Sequence, residues 1–496
     1  MNTFEIEING KPINPKYVRL SESYSKNPQL EVENIVEDYE FDILEHTKAE
    51  IKWIINQVIV FFGYVHRIRY DQATSLLYLK AFSKSKDYDL TKQTIFYGLG
   101  EIQKSNKDLL APLFKELNVF RTDLLESKSY FILQNDESKL NFLIRIVGKE
   151  DKALHISAAS GNISISDGTP NKQVEIPKEN IISYTIESCI ENPHSELRSW
   201  DTGSGKKNEP TTGKIYDQNS KIISAIYNKI KVSSETGHQL FSECIENRQF
   251  TVNRNTASSL SAIIKINIKT SDHKISVGDG IKISQHSLKD ELMIVCSRVL
   301  SFDPANHNNQ LVNEIECRIV TGKIIPTDFI KRQQKYTHLL LGQVVDVNDP
   351  VRIGRVKIHF PFHTEQGNTL SGIWCKTLNS FDGQFTIPKP FEFVYVLINS
   401  ESSLPIVLGS IYKKNTLPPQ VVENIEKDII LLSTPSGVRM YLKDSDQNSK
   451  FTLVIEKDGS TYAELSIENG EIILSAKDGL TINADTKIIG KVDIDQ

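Results

Sequence analysis

No Cys-x-x-Cys pair occurs in this chain. Its five cysteines, Cys189, Cys244, Cys296, Cys317 and Cys375, are odd in number and far apart, which suits neither a zinc site nor a disulfide framework. Buried free thiols in a reduced cytosol are the expectation. Basic residues are not in excess: 58 Lys and Arg stand against 63 Asp and Glu, for a net charge of −5. A nucleic-acid binder would normally show a basic surface. No apolar run is long enough to span a bilayer. The most apolar stretch, Trp53 to Val65, is short, is interrupted by Asn56 and Gln57, and reads mostly as strand. The start, MNTFEIEING, lacks a basic region followed by an apolar core, so no signal peptide is expected.

Catalytic and ligand motifs are also scarce. Gly203-Ser204-Gly205-Lys206 looks like part of a phosphate loop, but Trp200 stands where the earlier Gly belongs and Lys207 where Ser or Thr belongs. A flexible loop is the better reading. His359 and His363 are four apart in a strand pattern, which sets them about 13 Å apart along the strand, so solvated barrel histidines are expected there. Glycoside hydrolysis needs two carboxylates at a defined separation in a cleft, and nothing in the sequence selects such a pair. The expectation is no enzyme, no cofactor and no metal.

What is present is strand pattern, in a chain of 496 residues that is 39% hydrophobic and 24% charged. Short β-branched and aromatic runs recur between Gly, Asn, Asp and Ser. The helical period predicts helices over Phe41 to Ile55, Asp108 to Asn118, Glu137 to Val147 and Ser220 to Lys231. Asp201 to Asn219 and Ser301 to Gln310 read as loops, and Lys413 to Gln420, with two prolines, as an extended break. The polar, Lys- and Gln-rich segment Ile324 to Tyr336 and the break at Lys413 to Gln420 set the boundaries, which give a first region over 1–335, a second over 336–415 and a third over 416–496.

The third region has its own texture. From Val421 to Gln496 there are fourteen acidic and eight basic residues, so anionic lipid would not attract it. Leu465/Ile467, Ile472/Leu474, Leu480/Ile482 and Val492/Ile494 are apolar pairs two apart, which gives each short strand one apolar face. A five-residue strand buries too little to offset its own ordering entropy, and an isolated hairpin is marginal. Two arrangements answer this. Several chains wrap around a shared apolar axis, or the strands form an ordinary antiparallel sheet folded back onto the upstream region.

Motifs in a fixed order now bear on that choice. Leu341 to Pro350 (LGQVVDVNDP), Gly354 to Phe362 (GRVKIHFPF) and Leu404 to Tyr412 (LPIVLGSIY) closely resemble the small OB-like barrel of VgrG spike proteins and of their phage baseplate relatives. Ile59 to Ile68, Tyr78 to Asp89, Asp136 to Gly148, Glu196 to Lys206 and Ser276 to Ile283 are similar to hub segments of that family. Leu432 to Asp444 (LSTPSGVRMYLKD) resembles the start of its spike. The sequence departs from the family at Pro390-Phe391-Glu392, where a Gly and an acidic residue are usual, and its needle is short. No toxin or adhesin domain is expected beyond the needle, and only 22 residues separate Gly409 from Leu432, too few for an inserted lysozyme domain.

The resemblance implies a mainly β fold: two tube-like hub β-barrels with a few helices over 1–335, an OB-like barrel over 336–415, and a linker with a C-terminal intertwined trimeric β-helix needle over 416–496. It also implies a homotrimer that caps a sixfold tail tube, adapts threefold to sixfold symmetry and punctures a target envelope. Expected partners are the tail-tube protein, baseplate proteins, effector cargo and, since no His follows His363, a separate PAAR-like protein at the tip. Such a chain would assemble in the bacterial cytoplasm and be expelled with the tube. The expected interchain needle core is Leu465, Ile467, Ile472, Leu474, Leu480, Ile482, Val492 and Ile494. The alternative is a trimeric phage tail adhesin or spike with carbohydrate binding or peptidoglycan hydrolase activity.

Overall fold

The computed structural model describes residues 4–36, 42–98 and 102–188, shorter stretches between 195 and 411, and then 428–433, 437–444, 449–457, 460–468, 470–479 and 481. The chain divides into two compact units, Met1–Ser410 and Ile411–Gln496. Both are built chiefly of strands, the fold class expected.

Seven strands open the first unit: β1 (Phe4–Ile8), β2 (Lys11–Ile13), β3 (Tyr17–Ser23), β4 (Gln29–Ile35), β5 (Glu50–Ile55), β6 (Val58–Asp71) and β7 (Leu76–Ser83). Alternation decides what each one buries. In β5, Ile51, Trp53 and Ile55 are buried while Glu50, Lys52 and Ile54 are half-buried. Val18, Leu20, Leu30, Val32, Trp53 and Phe61 share one core. At Gly63 the β6 backbone runs so close to β7 that a Cβ would lie 2.1 Å from the Phe82 carbonyl oxygen. Gly63→Ala should therefore force the two strands apart and lower stability by about 1–3 kcal/mol, read as a reduced urea midpoint.

A mixed segment follows, with β8 (Lys92–Tyr97), α1 (Ala111–Leu117), β9 (Ile132–Ser138), α2 (Lys139–Lys149), β10 (Ala153–Ile156) and β11 (Ile163–Ser166). The Ser138 hydroxyl caps α2 by accepting the Asn141 N–H, a standard way to satisfy an orphan donor of the first turn. α1 ends at Asn118 in the left-handed conformation. Leu113, Phe114, Leu143, Val147 and Ile156 form the core of this segment. Helices at Ala111–Leu117, Lys139–Lys149 and Lys221–Lys229 answer three of the four helical expectations.

The fourth fails. Only Ile43–His46 is helical between 41 and 55, and Glu50–Ile55 is a strand. Lys48 takes a left-handed φ of 56°, which ends the helix, and beyond it the buried residues Ile51, Trp53 and Ile55 repeat every two positions against the core. Burial on one sheet face outweighs a weak helical period.

Six further strands complete the sheet: β12 (Gln173–Ile176), β13 (Ile181–Ser188), β14 (Ile264–Thr270), β15 (Gly280–Ile283), β16 (Met293–Phe302) and β17 (Val312–Ile319). The order is β13-β14-β17-β16-β3-β4-β7-β6-β5-β1-β2, with β15 pairing β12 and β16. These strands thus form one thirteen-stranded sheet with a second core around Ile266, Ile268, Val295, Ile315 and Cys317. β16 and β3 form the seam between the two lobes. There Arg298 lies opposite Glu22 in the register and makes a buried ion pair with it, each side chain 5% exposed. Arg298 also donates to the Ile275 carbonyl at 2.7 Å.

The first unit ends in a closed barrel of β18 (Thr337–Asp346), β19 (Val356–His359), β20 (Ile373–Thr377), β21 (Phe393–Asn399) and β22 (Ile406–Ile411), ordered β18-β19-β20-β22-β21. Val344, Val356, Ile358, Val394 and Val396 fill it, and Phe96 and Phe131 of the mixed segment pack against the same core. The Phe96 and Phe360 rings lie 5.5 Å apart. At the Pro390-Phe391-Glu392 turn, Phe391 adopts a left-handed φ of 71°.

In the second unit β23 (Asp428–Ser433), β24 (Val438–Asp444), β25 (Ser449–Lys457), β26 (Ser460–Glu468) and β27 (Glu471–Ala476) form an antiparallel meander in chain order.

Candidate assembly surfaces

Cross-strand register builds one apolar face on the meander. Val438 lies opposite Ile455 and Met440 opposite Leu453. Leu453 in turn pairs with Leu465, and Phe451 with Ile467. Leu465 pairs with Leu474 and Ile467 with Ile472. Residues directly opposite in an antiparallel pair share a face, so these side chains form a single stripe over four strands. They are poorly covered: Ile455 is 42% exposed, Ile467 42%, Ile472 68% and Leu474 54%.

The other face is mixed, with charged pairs beside Ile473, which is 48% exposed. Lys450 pairs with Glu468 at 3.3 Å and Glu464 at 4.0 Å, and Arg439 with Glu456 at 3.0 Å. Thr452, Val454 and Ser466 are buried. Gly470 (φ 85°) and Gly479 (φ 105°) turn the chain after β26 and β27, and the Tyr462 hydroxyl donates to Asp478. The structure thus brings Leu465, Ile467, Ile472 and Leu474 together on one face. Leu480, Ile482, Val492 and Ile494 lie outside the described residues. Phe451, Leu453 and Ile455 of β25 join that face and were not among the expected core. Their spacing of two in Lys450 to Lys457 (KFTLVIEK) was the available signal.

The barrel presents a second feature. In the loop between β18 and β19, Asp349 Oδ1 accepts from the Val351 N–H at 3.0 Å and from Arg355 Nε and Nη2 at 3.0 and 2.8 Å. Oδ2 accepts from the Ile353 and Arg355 N–H groups at 2.9 and 3.2 Å. Burial alone would raise the Asp349 pKa. The guanidinium and the three N–H groups outweigh it and hold the carboxyl well below the usual carboxylate range. Arg355 is buried 5.6 Å from the Trp374 ring centroid. The braced loop holds Val351 and Ile353 outward, both exposed.

Among the described residues there is no group of three or more His, Cys, Asp or Glu able to hold a metal. His359 lies in β19, while His363 and residues 203–205 lie outside the described residues. Cys296, Cys317 and Cys375 are buried free thiols, and burial pushes all three pKa values up. Cys189 and Cys244 lie outside the described residues. The geometry offers surfaces for association.

No protein-family model matches the chain, and no curated protein does. Solved structures do. The c3393 protein of E. coli, a component of the type VI secretion system with structural similarity to the T4 bacteriophage tail proteins gp27 and gp5, is similar at a TM-score of 0.55 and 9% identity, over 82% of this chain and 99% of that one. The Francisella PdpA–VgrG complex in its lidded form is similar at a TM-score of 0.61 and 11% identity, over 96% of this chain and 80% of that one. At such identities the likeness is one of fold, and the fold this chain carries is that of the VgrG-like hub and spike.

Proposed function

We propose that the chain is the structural hub and spike of a contractile injection machine: a homotrimer that caps a tail tube, adapts threefold to sixfold symmetry and punctures a target envelope. The observation that carries this reading is the apolar face of the β24–β27 sheet. A five-stranded sheet with Ile467, Ile472 and Leu474 turned to water is unfinished as a monomer. Three copies facing one axis would bury those side chains, at about 25 cal/mol for each Å² of apolar surface removed from water. The face with Lys450 and Arg439 would then point outward. The hub sheet would stack on the tube, and a PAAR-like protein would cap the needle. The work is mechanical and calls for no catalytic group.

Light scattering on the full chain at low micromolar concentration tests it. A mass three times the 56.2 kDa of one chain is expected. A stable monomer with a folded tail would overturn the reading, and release of sugar fragments from peptidoglycan would favour the hydrolase alternative.

A further inference from the structure

The mixed segment buries three reactive side chains around one carboxylate. Asn106 is 3% exposed, Glu150 5% and Lys152 7%, although all three residue types are mostly exposed in folded proteins. Asn106 stands in the one-turn helix Asn106–Leu109, and Glu150 and Lys152 lie between α2 and β10. Backbone bonds hold them there. The Asn106 N–H donates to the Ser127 carbonyl at 2.8 Å, and the Glu150 and Lys152 N–H groups both donate to the Val147 carbonyl at 3.1 Å. Glu150 Oε1 accepts from Asn106 Nδ2 at 2.8 Å, and Oε2 lies 3.8 Å from Lys152 Nζ. Oε2 also accepts from the Glu126 and Ser127 N–H groups at 3.0 and 3.4 Å, which fixes the carboxylate in place. The amide oxygen is not so well provided for. Among the described residues Asn106 Oδ1 is buried with no hydrogen-bond partner. An acceptor left in that state is costly, and a buried orphan of this kind calls for an explanation.

We propose that this is a modification site, at which Lys152 and Asn106 join through an isopeptide bond with Glu150 as the proton carrier. An amine attacks an amide carbonyl only when it is neutral and is held beside it. The Glu150 carboxylate touches both reactants, so it can take the proton that makes the Lys152 amine a nucleophile. The Nζ lone pair then forms a bond to Asn106 Cγ, and the carbonyl π electrons move onto Oδ1. As the carbonyl re-forms, the Cγ–Nδ2 bond breaks and its electron pair leaves on the nitrogen. Glu150 returns its proton to that nitrogen, which also takes the second amine proton and departs as ammonium. Atoms and charge balance: a lysine ammonium and a primary amide become a secondary amide and an ammonium ion. The step needs no oxidant and no co-reactant. The bond would tie the two ends of the segment, since Glu150 stands 44 positions after Asn106, and closing such a loop removes entropy chiefly from the unfolded chain. None of this depends on the trimeric reading.

Mass spectrometry on the unaltered full chain decides the matter. The expected intact mass is about 17 Da below that of the sequence, the ammonia lost, with a branched tryptic peptide that contains both Asn106 and Lys152. An unchanged mass overturns the proposal and leaves an ordinary buried ion pair. So does a loss that fragmentation places elsewhere, such as a succinimide at Asn9-Gly10. Lys152→Arg keeps the positive charge but has no amine to acylate, so its full sequence mass is expected, and a loss that persists there also overturns the bond. Glu150→Gln keeps the shape and removes the proton carrier. With circular dichroism checking the fold, its linked fraction should fall to near zero, and linking as complete as in the unaltered chain would remove Glu150 from the step. The unaltered chain alone shows whether the bond exists, so a variant that folds poorly leaves the test intact.

Discussion

Leu465→Asp should leave the purified chain monomeric, whereas Lys477→Asp should leave its assembly unchanged. Leu465 sits between Leu453 and Leu474 in the register, at the middle of the apolar face. In a trimer that face meets two others. An unpaired carboxylate there would lose its water and face two of its own kind, and burying one unpaired charge costs about 3–5 kcal/mol. Symmetry repeats the fault on every chain. Lys477 follows β27 next to the Asp478-Gly479 turn and is exposed. Substitutions at such positions usually change stability by no more than about 0.5 kcal/mol. Light scattering reads the mass, circular dichroism checks that the sheet persists, and an unboiled gel after brief heating compares what remains assembled. Equal behaviour of the two variants would mean that the inward face is wrongly assigned.

Asp349→Ala should destabilise the barrel by about 3–5 kcal/mol, since it removes the carboxylate that makes an ion pair with the buried Arg355 guanidinium. It also strips acceptors from the N–H groups of Val351, Ile353 and Arg355. The size of the loss should depend on pH, and the sign follows from the direction of the shift. The folded carboxyl titrates below its unfolded value, which is near 3.9 for Asp. Its contribution is therefore complete above about pH 4 and is lost as pH falls below that toward the folded pKa. Urea unfolding followed through Trp374, which lies beside Arg355, should show a wide gap between wild type and variant at pH 7 and a narrower one near pH 3. A gap that stays constant with pH would remove the carboxylate from the explanation.

Both variants bear on how much a single sequence reveals. Leu465 was legible because alternation places it on a face whatever the strand pairs with. Asp349 and Arg355 are six residues apart and both lie inside motifs that carry the family resemblance, yet the ion pair was missed. A loop between strands has no period from which to read a contact. Glu22 and Arg298 are farther out of reach, 276 positions apart. Only the register of β3 against β16 brings them together.

What the sequence determined by itself follows from short-range physics. Alternation over a few residues chooses the strand and its apolar face, as in Ile467, Ile472 and Leu474, because side chains on a strand point to opposite sides in turn. The capped helix Lys139–Lys149 was foreseeable on similar grounds, with Leu140, Leu143, Ile144 and Val147 on one side and Ser138 in front. The tertiary structure alone decided which strands meet. It joined the two lobes of the first unit into one sheet, set Phe96 against Phe360 and converted 50–55 from a weak helical pattern to a strand. Those outcomes depend on burial shared between distant segments, and a local propensity of a few tenths of a kcal/mol per residue yields to the 1.5–3 kcal/mol gained, in rough measure, by each large side chain that the common core takes in.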